Sequence, residues 1–448
     1  MKKFKDIIII GFALFAMFLG AGNIIFPPSL GAIAGDQWFS AMVGFILTGV
    51  GLPVLGVIAA SKAGGSSRAV FKPIGNKPAT FLTFMIIICI GPLLAIPRTA
   101  AVTHEIGVLP LFPNLSPVIT AIVFFGITLF FTVNASSVID KVGSILTPIL
   151  LIVLAIIIIM GIISPIGVPI NTNNDQNFLR GFEEGYQTMD ALASLVFASI
   201  IIQSISDKGY NSPKERIKLT IIAGIIAAVG LFMVYGGFVY LGGTYSGSFS
   251  HEMSRAELLI SVVNEIMGSS GSIILGIAVS LACLTTSVGL TATAGNFFSS
   301  FSDKLSYKTV VYIVCGFSAF FAINGVDTII ALSVPILTVL YPVTIVLIVM
   351  SLLDRFIKYK SAYKGACLGA LIVSLIQNFL SAEDQINNIL ERIRFSPFFA
   401  NMTPERVNFD TPISIIESLP LATEGFAWIV PALILGIVFA LIERSKTK

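Results

Sequence analysis

The sequence predicts an all-α membrane protein. We expect twelve transmembrane helices: a five-plus-five inverted repeat with helices 1 and 6 broken, then two extra helices. Three observations support this fold class, namely the composition, the number of apolar runs, and glycine and proline at the centre of the first run. Of 448 residues, 55% are hydrophobic and 11% charged, against about 25% charged in a soluble domain. An ordinary globular protein is therefore excluded.

Twelve apolar runs approach the roughly 20 residues that span a bilayer as a helix. They cover 6–34, 39–61, 79–102, 118–134, 143–163, 185–205, 219–242, 270–298, 309–323, 328–352, 363–379 and 426–441. We expect the first repeat in 1–163, the second in 164–360, and the additional helices, separated by a long outer loop from 381 to 425, in 361–448. The first run is interrupted too early by glycine and proline to be a cleaved signal peptide.

The basic residues predict the orientation. All lysines lie at the two termini or in alternate connections between the apolar runs, which places them on one side of the membrane. The opposite side carries no lysine. Its arginines are Arg180, Arg255, Arg392, Arg394 and Arg406. Because cytoplasmic loops are enriched in lysine and arginine, both termini should lie in the cytoplasm and the protein in the cytoplasmic membrane. The net charge of +3 is explained by this bias and indicates no nucleic-acid partner.

The first run contains AMFLGAGNIIFPPSLG at residues 16–31. Pro27 and Pro28 remove two backbone donors and push the preceding residues away from the α region. We therefore predict that the helix stops near Asn23 and restarts at the prolines. Free amides at the restart suit a carboxylate, and the carbonyls near Ala16 and Leu19 suit a bare cation. The alternative is a proline kink that only shapes packing.

A second pattern indicates the repeat. DKVGSILTPIL starts at Asp140 and DTIIALSVPIL at Asp327, and the charge bias places these aspartates on opposite sides of the membrane. An inverted repeat leaves such a pattern, with chance likeness of apolar helices as the alternative. The repeat predicts that helix 6, FEEGYQTMDALASLVFASIII, is also broken. Its Asp190 needs an ammonium group or a cation as partner, unless it only caps the second half-helix.

Helices 3 and 8 carry the other polar candidates. Arg98 in helix 3 is costly in a membrane, so it is either functional or snorkels to the outer surface. Most hydroxyls of helix 8 are expected to bond to their own backbone. Thr285, Thr286 and the carbonyl of Ala282, however, offer oxygen ligands to a hard cation.

The strings LGAGNIIFPP, GPLLAIPRTA and GYQTMDALASL resemble the branched-chain amino acid:cation symporter family along essentially the whole chain. That resemblance implies the leucine-transporter fold. More distantly, GNIIFP is similar to GNFLRFP, and ACLTTS to AGLTSS, of sodium-coupled amino acid transporters. By that likeness, one sodium ion would be surrounded by carbonyls and hydroxyls of Ala16, Leu19, Ala282, Thr285 and Thr286.

One departure concerns the outer gate. The chain is one residue shorter before Phe-Pro and lacks the arginine that gates other members of the wider fold, so Arg98 becomes the gating candidate. The substrate carboxylate is expected on amides of the helix 1 restart and the ammonium on helix 6. The candidate substrate-binding residues are Gly20, Ala21, Gly22, Asn23, Ile24, Ile25, Tyr186, Gln187 and Asp190.

The sequence thus predicts uptake of leucine, isoleucine and valine by symport with Na⁺. Coupling to H⁺ stays open if Asp190 titrates, as does transport of other small neutral amino acids. An intramembrane enzyme is disfavoured because the helices contain no evident nucleophile and base pair. A channel is disfavoured because no charged ring or filter-like loop is found. The sequence does not predict the oligomeric state.

Overall fold

The computed structural model describes residues 2–133, 138–250, 252–301, 304–381, 419–422 and 425–446. Of residues 2, 138–147, 380 and 381 only the backbone is described. The α-helices of this part of the chain are numbered α1 to α17. They are α1 Lys2–Phe18, α2 Ala21–Ala34, α3 Trp38–Ile46, α4 Leu52–Lys62, α5 Ser67–Phe71, α6 Asn76–Ile88, α7 Ala95–Val102, α8 Pro117–Val133, α9 Val138–Ile163, α10 Asn177–Tyr186, α11 Asp190–Asp207, α12 Pro213–Tyr245, α13 Arg255–Ser299, α14 Tyr307–Ala322, α15 Val326–Leu352, α16 Ser361–Ser381 and α17 Ile429–Lys446.

Within the described residues, six helical stretches are long and apolar enough to cross a membrane. They are Ala21–Lys62, Asn76–Val108, Asp190–Asp207, Pro213–Ser248, Arg255–Ser299 and Val326–Leu352. Shorter apolar helices are Pro117–Val133, Pro148–Ile163 and Tyr307–Ala322. The prediction of an all-α membrane protein is confirmed at this level. The end of the fourth predicted run at Asn134 and most of the predicted outer loop, 381–425, lie outside the described residues.

The described residues divide into two compact units. One comprises Met1–Val70 with Thr80–Val334, and the other Phe71–Ala79 with Pro335–Lys448. The predicted boundaries of the repeats stay a prediction.

In the first unit, α2 packs against α12 with their backbones in contact. A Cβ on Gly31 would overlap the carbonyl oxygen of Val239, and one on Gly242 would overlap that of Pro28. Glycine at both positions therefore permits the close approach that small residues give to membrane helices. This contact holds the second half of α2 against the last third of α12.

A similar contact fixes α10 against α3. A Cβ on Gly181 would overlap the carbonyl oxygen of Ala41, one on Gly44 that of Phe178, and one on Gly185 the hydroxyl of Thr48. Thr48 donates instead to the Phe182 carbonyl at 2.8 Å. The end of α10 is therefore held in place up to the point where the helix stops.

Helices 1 and 6 are broken, as predicted. The first interruption lies at residues 19–20 between α1 and α2, and the second at 187–189 between α10 and α11. Two further irregularities were not predicted. Gly91, followed by Pro92, has non-helical backbone angles (φ −95°, ψ −123°) between α6 and α7. Gly268 has φ +69° within α13, just before the eighth predicted run, 270–298.

The second unit is built around α16 and α17, which also pack through glycines. Ser361 donates through its hydroxyl to the Phe439 carbonyl at 2.7 Å and through its amide to Glu443 at 2.8 Å. Beyond the end of α15, Asp354 accepts from Lys360 at 2.5 Å and from Tyr363 at 2.6 Å. These donors lower the pKa of Asp354. The polar contacts therefore fix the ends of the apolar helices.

Candidate functional site

The first interruption leaves a helix end without its usual hydrogen bonds. Gly20 is extended (φ −99°, ψ −170°), and its amide donates to the carbonyl of Phe18 at 2.7 Å. In a continuous helix this amide would donate to Ala16. The break lies at residues 19–20 and not, as predicted, between Asn23 and the prolines. The physical reason is that the extended glycine, and not the proline ring, ends the helix.

Pro27 and Pro28 lie inside α2, in its second turn. Having no N–H, they provide no donor to the carbonyls of Asn23 and Ile24. The start of α2 therefore presents backbone amides that no preceding turn accepts and carbonyls that no following turn satisfies. A short stretch of main chain thus offers both donors and acceptors to a polar ligand.

The second interruption is a tight turn from Gln187 to Met189. Met189 adopts the left-handed conformation (φ +62°, ψ 8°), which costs a non-glycine residue about 1 kcal/mol or more. Thr188 donates its hydroxyl to the Gly185 carbonyl at 2.8 Å. The backbone therefore reverses its helical course here, and α11 restarts at Asp190.

Asp190, Asn23 and Tyr235 form a buried polar cluster, which joins α11, α2 and α12. The side-chain amide of Asn23 donates to Oδ2 of Asp190 and to the hydroxyl of Tyr235. Tyr235 also lies 3.4 Å from the same carboxylate oxygen, and its ring packs edge-on against Phe45. The N-cap of α11 is Met189, whereas Asp190 is the first residue of the helix and its carboxylate accepts from Asn23 and Tyr235. The interpretation of the Asp190 side chain as an N-cap is therefore wrong.

Arg98 is buried beside the second interruption and is 3% exposed. It donates to the carbonyls of Gln187 at 2.6 Å and Thr188 at 3.5 Å. Its guanidinium also faces the ring of Phe26 at 5.5 Å. The alternative that Arg98 snorkels to the surface is therefore wrong, because carbonyls of the broken helix replace the water that it would seek.

A central cavity of about 30 Å³ lies where the two interruptions meet. Its lining consists of Met17, Phe18, Gly20, Ala21, Asn23, Ile90, Ala95, Arg98, Thr99, Thr188, Met189, Asp190, Ala193, Phe197, Thr286 and Leu290. A cavity of this volume has room for only about two water molecules. Its wall is apolar on one side, and on the other it carries the backbone breaks with Asn23, Arg98 and Asp190.

The candidate substrate-binding residues are only partly brought together. Gly20, Ala21, Asn23 and Asp190 line the central cavity. Gly22 lies against the Arg98 guanidinium. The others are buried elsewhere: Ile24 and Ile25 in the core, Tyr186 against Phe182, and the Gln187 side chain on the Ser333 hydroxyl at 2.8 Å.

A second, side cavity of about 20 Å³ lies between the end of α1 and the middle of α13. Four of the five candidate cation ligands line it, namely Ala16, Leu19, Ala282 and Thr285. The fifth, Thr286, lines the central cavity instead. Thr285 donates to the Ala282 carbonyl at 2.8 Å.

The hydroxyl oxygen of Thr286 is buried and has no hydrogen-bond partner. A buried hydroxyl without a partner costs about 1–3 kcal/mol, so its retention points to a ligand. The side cavity is lined by residues whose neutral oxygen atoms include the Thr285 hydroxyl and the Ala16 carbonyl, which lacks its helical donor. Such a set fits a small hard cation.

Sequence reasoning missed three residues around the site. Tyr235 belongs to the polar cluster with Asn23 and Asp190, and the Phe26 ring faces the Arg98 guanidinium. Arg255 faces the same Phe26 ring at 5.5 Å and forms ion pairs with Glu184 at 3.0 Å and Asp327 at 3.3 Å. The sequence signal for Tyr235 is a tyrosine within an apolar helix, and the signal for Arg255 is an arginine on the side of the membrane that has no lysine.

The chain matches a family model described as branched-chain amino acid transport protein over residues 3–446. The permease BraB of Bacillus subtilis is 38% identical over 442 residues, covering 97% of this chain and 94% of that protein. The branched-chain amino acid transport system 2 carrier protein of Pseudomonas aeruginosa is 36% identical, with 97% and 95% covered. The permease BrnQ of Escherichia coli K12 is 35% identical, with 98% and 96% covered.

Two solved transporters share the fold. Mhp1, a nucleobase-cation-symport-1 family transporter in a closed conformation with bromovinylhydantoin bound, has a TM-score of 0.61 at 13% identity, with 98% of this chain and 93% of that chain covered. MhsT in complex with L-phenylalanine has a TM-score of 0.57 at 16% identity, with 83% and 98% covered. Both have the leucine-transporter fold. The chain therefore belongs to the branched-chain amino acid transporter family, whose members are membrane transporters and not enzymes.

Proposed function

We propose that the protein imports leucine, isoleucine and valine across the cytoplasmic membrane by symport with Na⁺. The observation that carries the proposal is the meeting of two broken helices at one cavity, where a buried aspartate and free main-chain groups lie next to an apolar wall. Unsatisfied backbone is tolerated at membrane depth only inside protein or along a polar cavity. Family membership supports the substrate class.

The proposed topology is twelve spans in a five-plus-five inverted repeat with two additional helices and both termini in the cytoplasm. Two broken helices, each near the start of a predicted repeat, support it. The predicted correspondence of Asp140 and Asp327 stays a prediction. The Asp140 side chain lies outside the described side chains, and Asp327 forms an ion pair with Arg255.

For the substrate, we propose that the carboxylate binds at the free amides of the first turn of α2, from Ala21 to Ile24. The predicted range, Gly20 to Ile25, is too wide at both ends, because the Gly20 amide donates to the Phe18 carbonyl and the Ile25 amide has a helical acceptor in the Ala21 carbonyl. The ammonium binds Asp190, whose Oδ2 already accepts from Asn23 and Tyr235. Met17, Phe18, Ile90, Phe197 and Leu290 provide the apolar wall for the side chain. One buried methylene contributes about 0.8 kcal/mol, so the three branched substrates overlap in their use of the site.

For the coupling ion, we propose a site made of the carbonyls of Ala16, Leu19 and Ala282 with the hydroxyls of Thr285 and Thr286. An ion there joins the end of α1 to α13. Because Thr286 also lines the central cavity, the ion site and the substrate site share a wall. Cation binding then favours the helix arrangement that admits substrate.

We propose that the outer gate includes Arg98, Phe26 and Arg255. Both guanidiniums face the Phe26 ring, and Arg255 connects α10, the start of α13 and the start of α15 through its two ion pairs. Substrate entry then requires these groups to separate.

The test is uptake of labelled leucine into proteoliposomes. Accumulation driven by an inward Na⁺ gradient, and abolished when K⁺ replaces Na⁺, is the expected result. Accumulation that follows a proton gradient without Na⁺ supports the second candidate, H⁺ coupling through Asp190, which the burial of that carboxylate favours. Binding without accumulation, or flux that no gradient drives, contradicts symport and indicates a receptor or a channel.

A further inference from the structure

Two charged side chains line the central cavity, Arg98 and Asp190, and both are buried: 3% and 5% of their surface is exposed. Burying a charge is costly, and in membrane proteins such charges mark ligand sites. A neutral amino acid carries one charge of each sign. The cavity therefore has the charges that complement a zwitterion.

The two charges are held by different parts of the site. Asp190 is held through Oδ2 by Asn23 and Tyr235, on α2 and α12. Arg98 is held by the carbonyls of Gln187 and Thr188 at 2.6 and 3.5 Å, and by the face of Phe26. The Asp190 carboxylate thus accepts from neutral side chains, the Arg98 guanidinium donates to backbone carbonyls, and both residues line the cavity.

The guanidinium lies at the first turn of α2. A Cβ on Gly22 would come within 2.7 Å of Nη2 and 2.9 Å of Cζ of Arg98, so glycine at this position makes room for the arginine. The amides at the start of α2 have no preceding turn to accept their hydrogens. A guanidinium beside free amides binds a carboxylate better than either group alone, because charge-assisted donors join the helix dipole.

We propose that Arg98 is a substrate-binding residue that contacts the α-carboxylate, while Asp190 contacts the α-ammonium. The site then requires both groups of a free amino acid. This inference rests on the proposed function and extends it, since it assigns to the gating candidate a direct role in choosing the substrate class. It predicts that leucinamide, which has the amine but no carboxylate, is a poor ligand, as is 4-methylpentanoate, which has the carboxylate but no amine.

The test is competition binding on the purified full chain in Na⁺, with labelled leucine displaced by leucine, leucinamide or 4-methylpentanoate. The wild type should bind leucinamide at least tenfold more weakly than leucine. Arg98→Gln should weaken leucine roughly ten- to hundredfold, the loss expected for a charge-assisted hydrogen bond, and leave leucinamide within about threefold. Asp190→Asn should weaken leucine and leucinamide together and leave 4-methylpentanoate nearly unchanged.

Binding to Arg98→Gln is measured by direct titration of the three compounds if labelled leucine no longer binds. Arg98→Lys keeps the charge and should restore part of the preference for leucine over leucinamide. Arg180→Gln removes an exposed arginine of α10 and serves as the matched control, with all three affinities as in the wild type.

Three results overturn the proposal. In the first, the wild type binds leucine and leucinamide equally, a result that overturns the proposal without any variant. In the second, Arg98→Gln weakens both compounds by the same factor, which indicates that Arg98 only fixes the helix break or the gate. In the third, Arg98→Gln binds leucine like wild type. A wild type that binds no branched-chain amino acid instead contradicts the proposed function itself.

Discussion

Asp190 shows how single residues determine what the cavity recognises. Its buried carboxylate has two neutral protein donors on one oxygen, an arrangement that keeps an acceptor in place at the cavity. An aspartate in an apolar run was enough to select this residue from the sequence. Its partners lie 167 and 45 positions away, and no local pattern predicts such distant contacts.

We expect Asp190→Asn to raise the KM for leucine roughly ten- to hundredfold, because the variant loses a charge-assisted bond to the ammonium. Uptake into proteoliposomes at varied leucine concentration measures the effect. Asp207→Asn, an exposed aspartate on the same helix, should leave KM unchanged. An unchanged KM in Asp190→Asn contradicts the ammonium assignment.

Thr286 provides a test of the cation site. Removing its hydroxyl in Thr286→Ala should raise the Na⁺ concentration for half-maximal uptake about tenfold. Without Na⁺, thermal stability in detergent should not fall, because the hydroxyl has no hydrogen bond to lose. Thr293→Ala removes a hydroxyl that bonds to Gly289 at 2.9 Å on the same helix, and should leave the Na⁺ dependence as in the wild type. Equal Na⁺ dependence of all three proteins contradicts the assigned ligands.

At the scale of elements, the two helix breaks are the feature that the sequence predicts best. Glycine, asparagine and proline in apolar runs indicate the breaks, because these residues have a low propensity for the interior of a helix. The exact position was missed at the first break because the rule for proline was applied to Pro27 and Pro28, whereas extended Gly20 ends α1. At the second break Met189 takes the positive φ, a role for which a sequence normally shows glycine.

The contact between α2 and α12 predicts a long-range effect on the site. Gly242→Ala would place a methyl group on the carbonyl of Pro28 and so move α2 away from Tyr235. Overpacking of this kind costs about 1–3 kcal/mol. We expect a lower melting temperature in detergent together with weaker leucine binding.

Gly126→Ala is the matched control for this pair of measurements. A Cβ at Gly126 meets no atom within 4 Å, and alanine favours the helix. Its melting temperature should therefore equal or exceed that of the wild type. The same behaviour in Gly242→Ala contradicts the role given to the α2–α12 contact.

At the scale of the whole molecule, transport requires the packed helices to separate on one side of the membrane at a time. Composition and apolar runs predicted the class of molecule, and the resemblance of three strings predicted the family and the fold. The ion pairs of Arg255 with Glu184 and Asp327 were beyond the sequence, since they join three separate helices.

We expect Arg255→Gln to weaken the closed state of the proposed outer gate. The variant should exchange leucine across the membrane faster than wild type and accumulate less of it at the same Na⁺ gradient. Exchange is measured in proteoliposomes loaded with unlabelled leucine, and accumulation in proteoliposomes that contain no leucine at the start. Arg180→Gln should behave as wild type, and slower exchange in Arg255→Gln would show that the ion pairs support opening instead.

The small volume of the central cavity has a consequence for which amino acids are carried. A space of about 30 Å³ must widen for any substrate, and the free energy of that widening is nearly the same for each. The ammonium and the carboxylate are common to all amino acids, so the substrates differ in the apolar part, which contributes about 0.8 kcal/mol per methylene. Alanine, about three carbons smaller than leucine, should therefore compete roughly fiftyfold more weakly for binding. Selection by size then excludes amino acids whose side chains are too small, because their apolar contacts do not offset the free energy of widening the cavity.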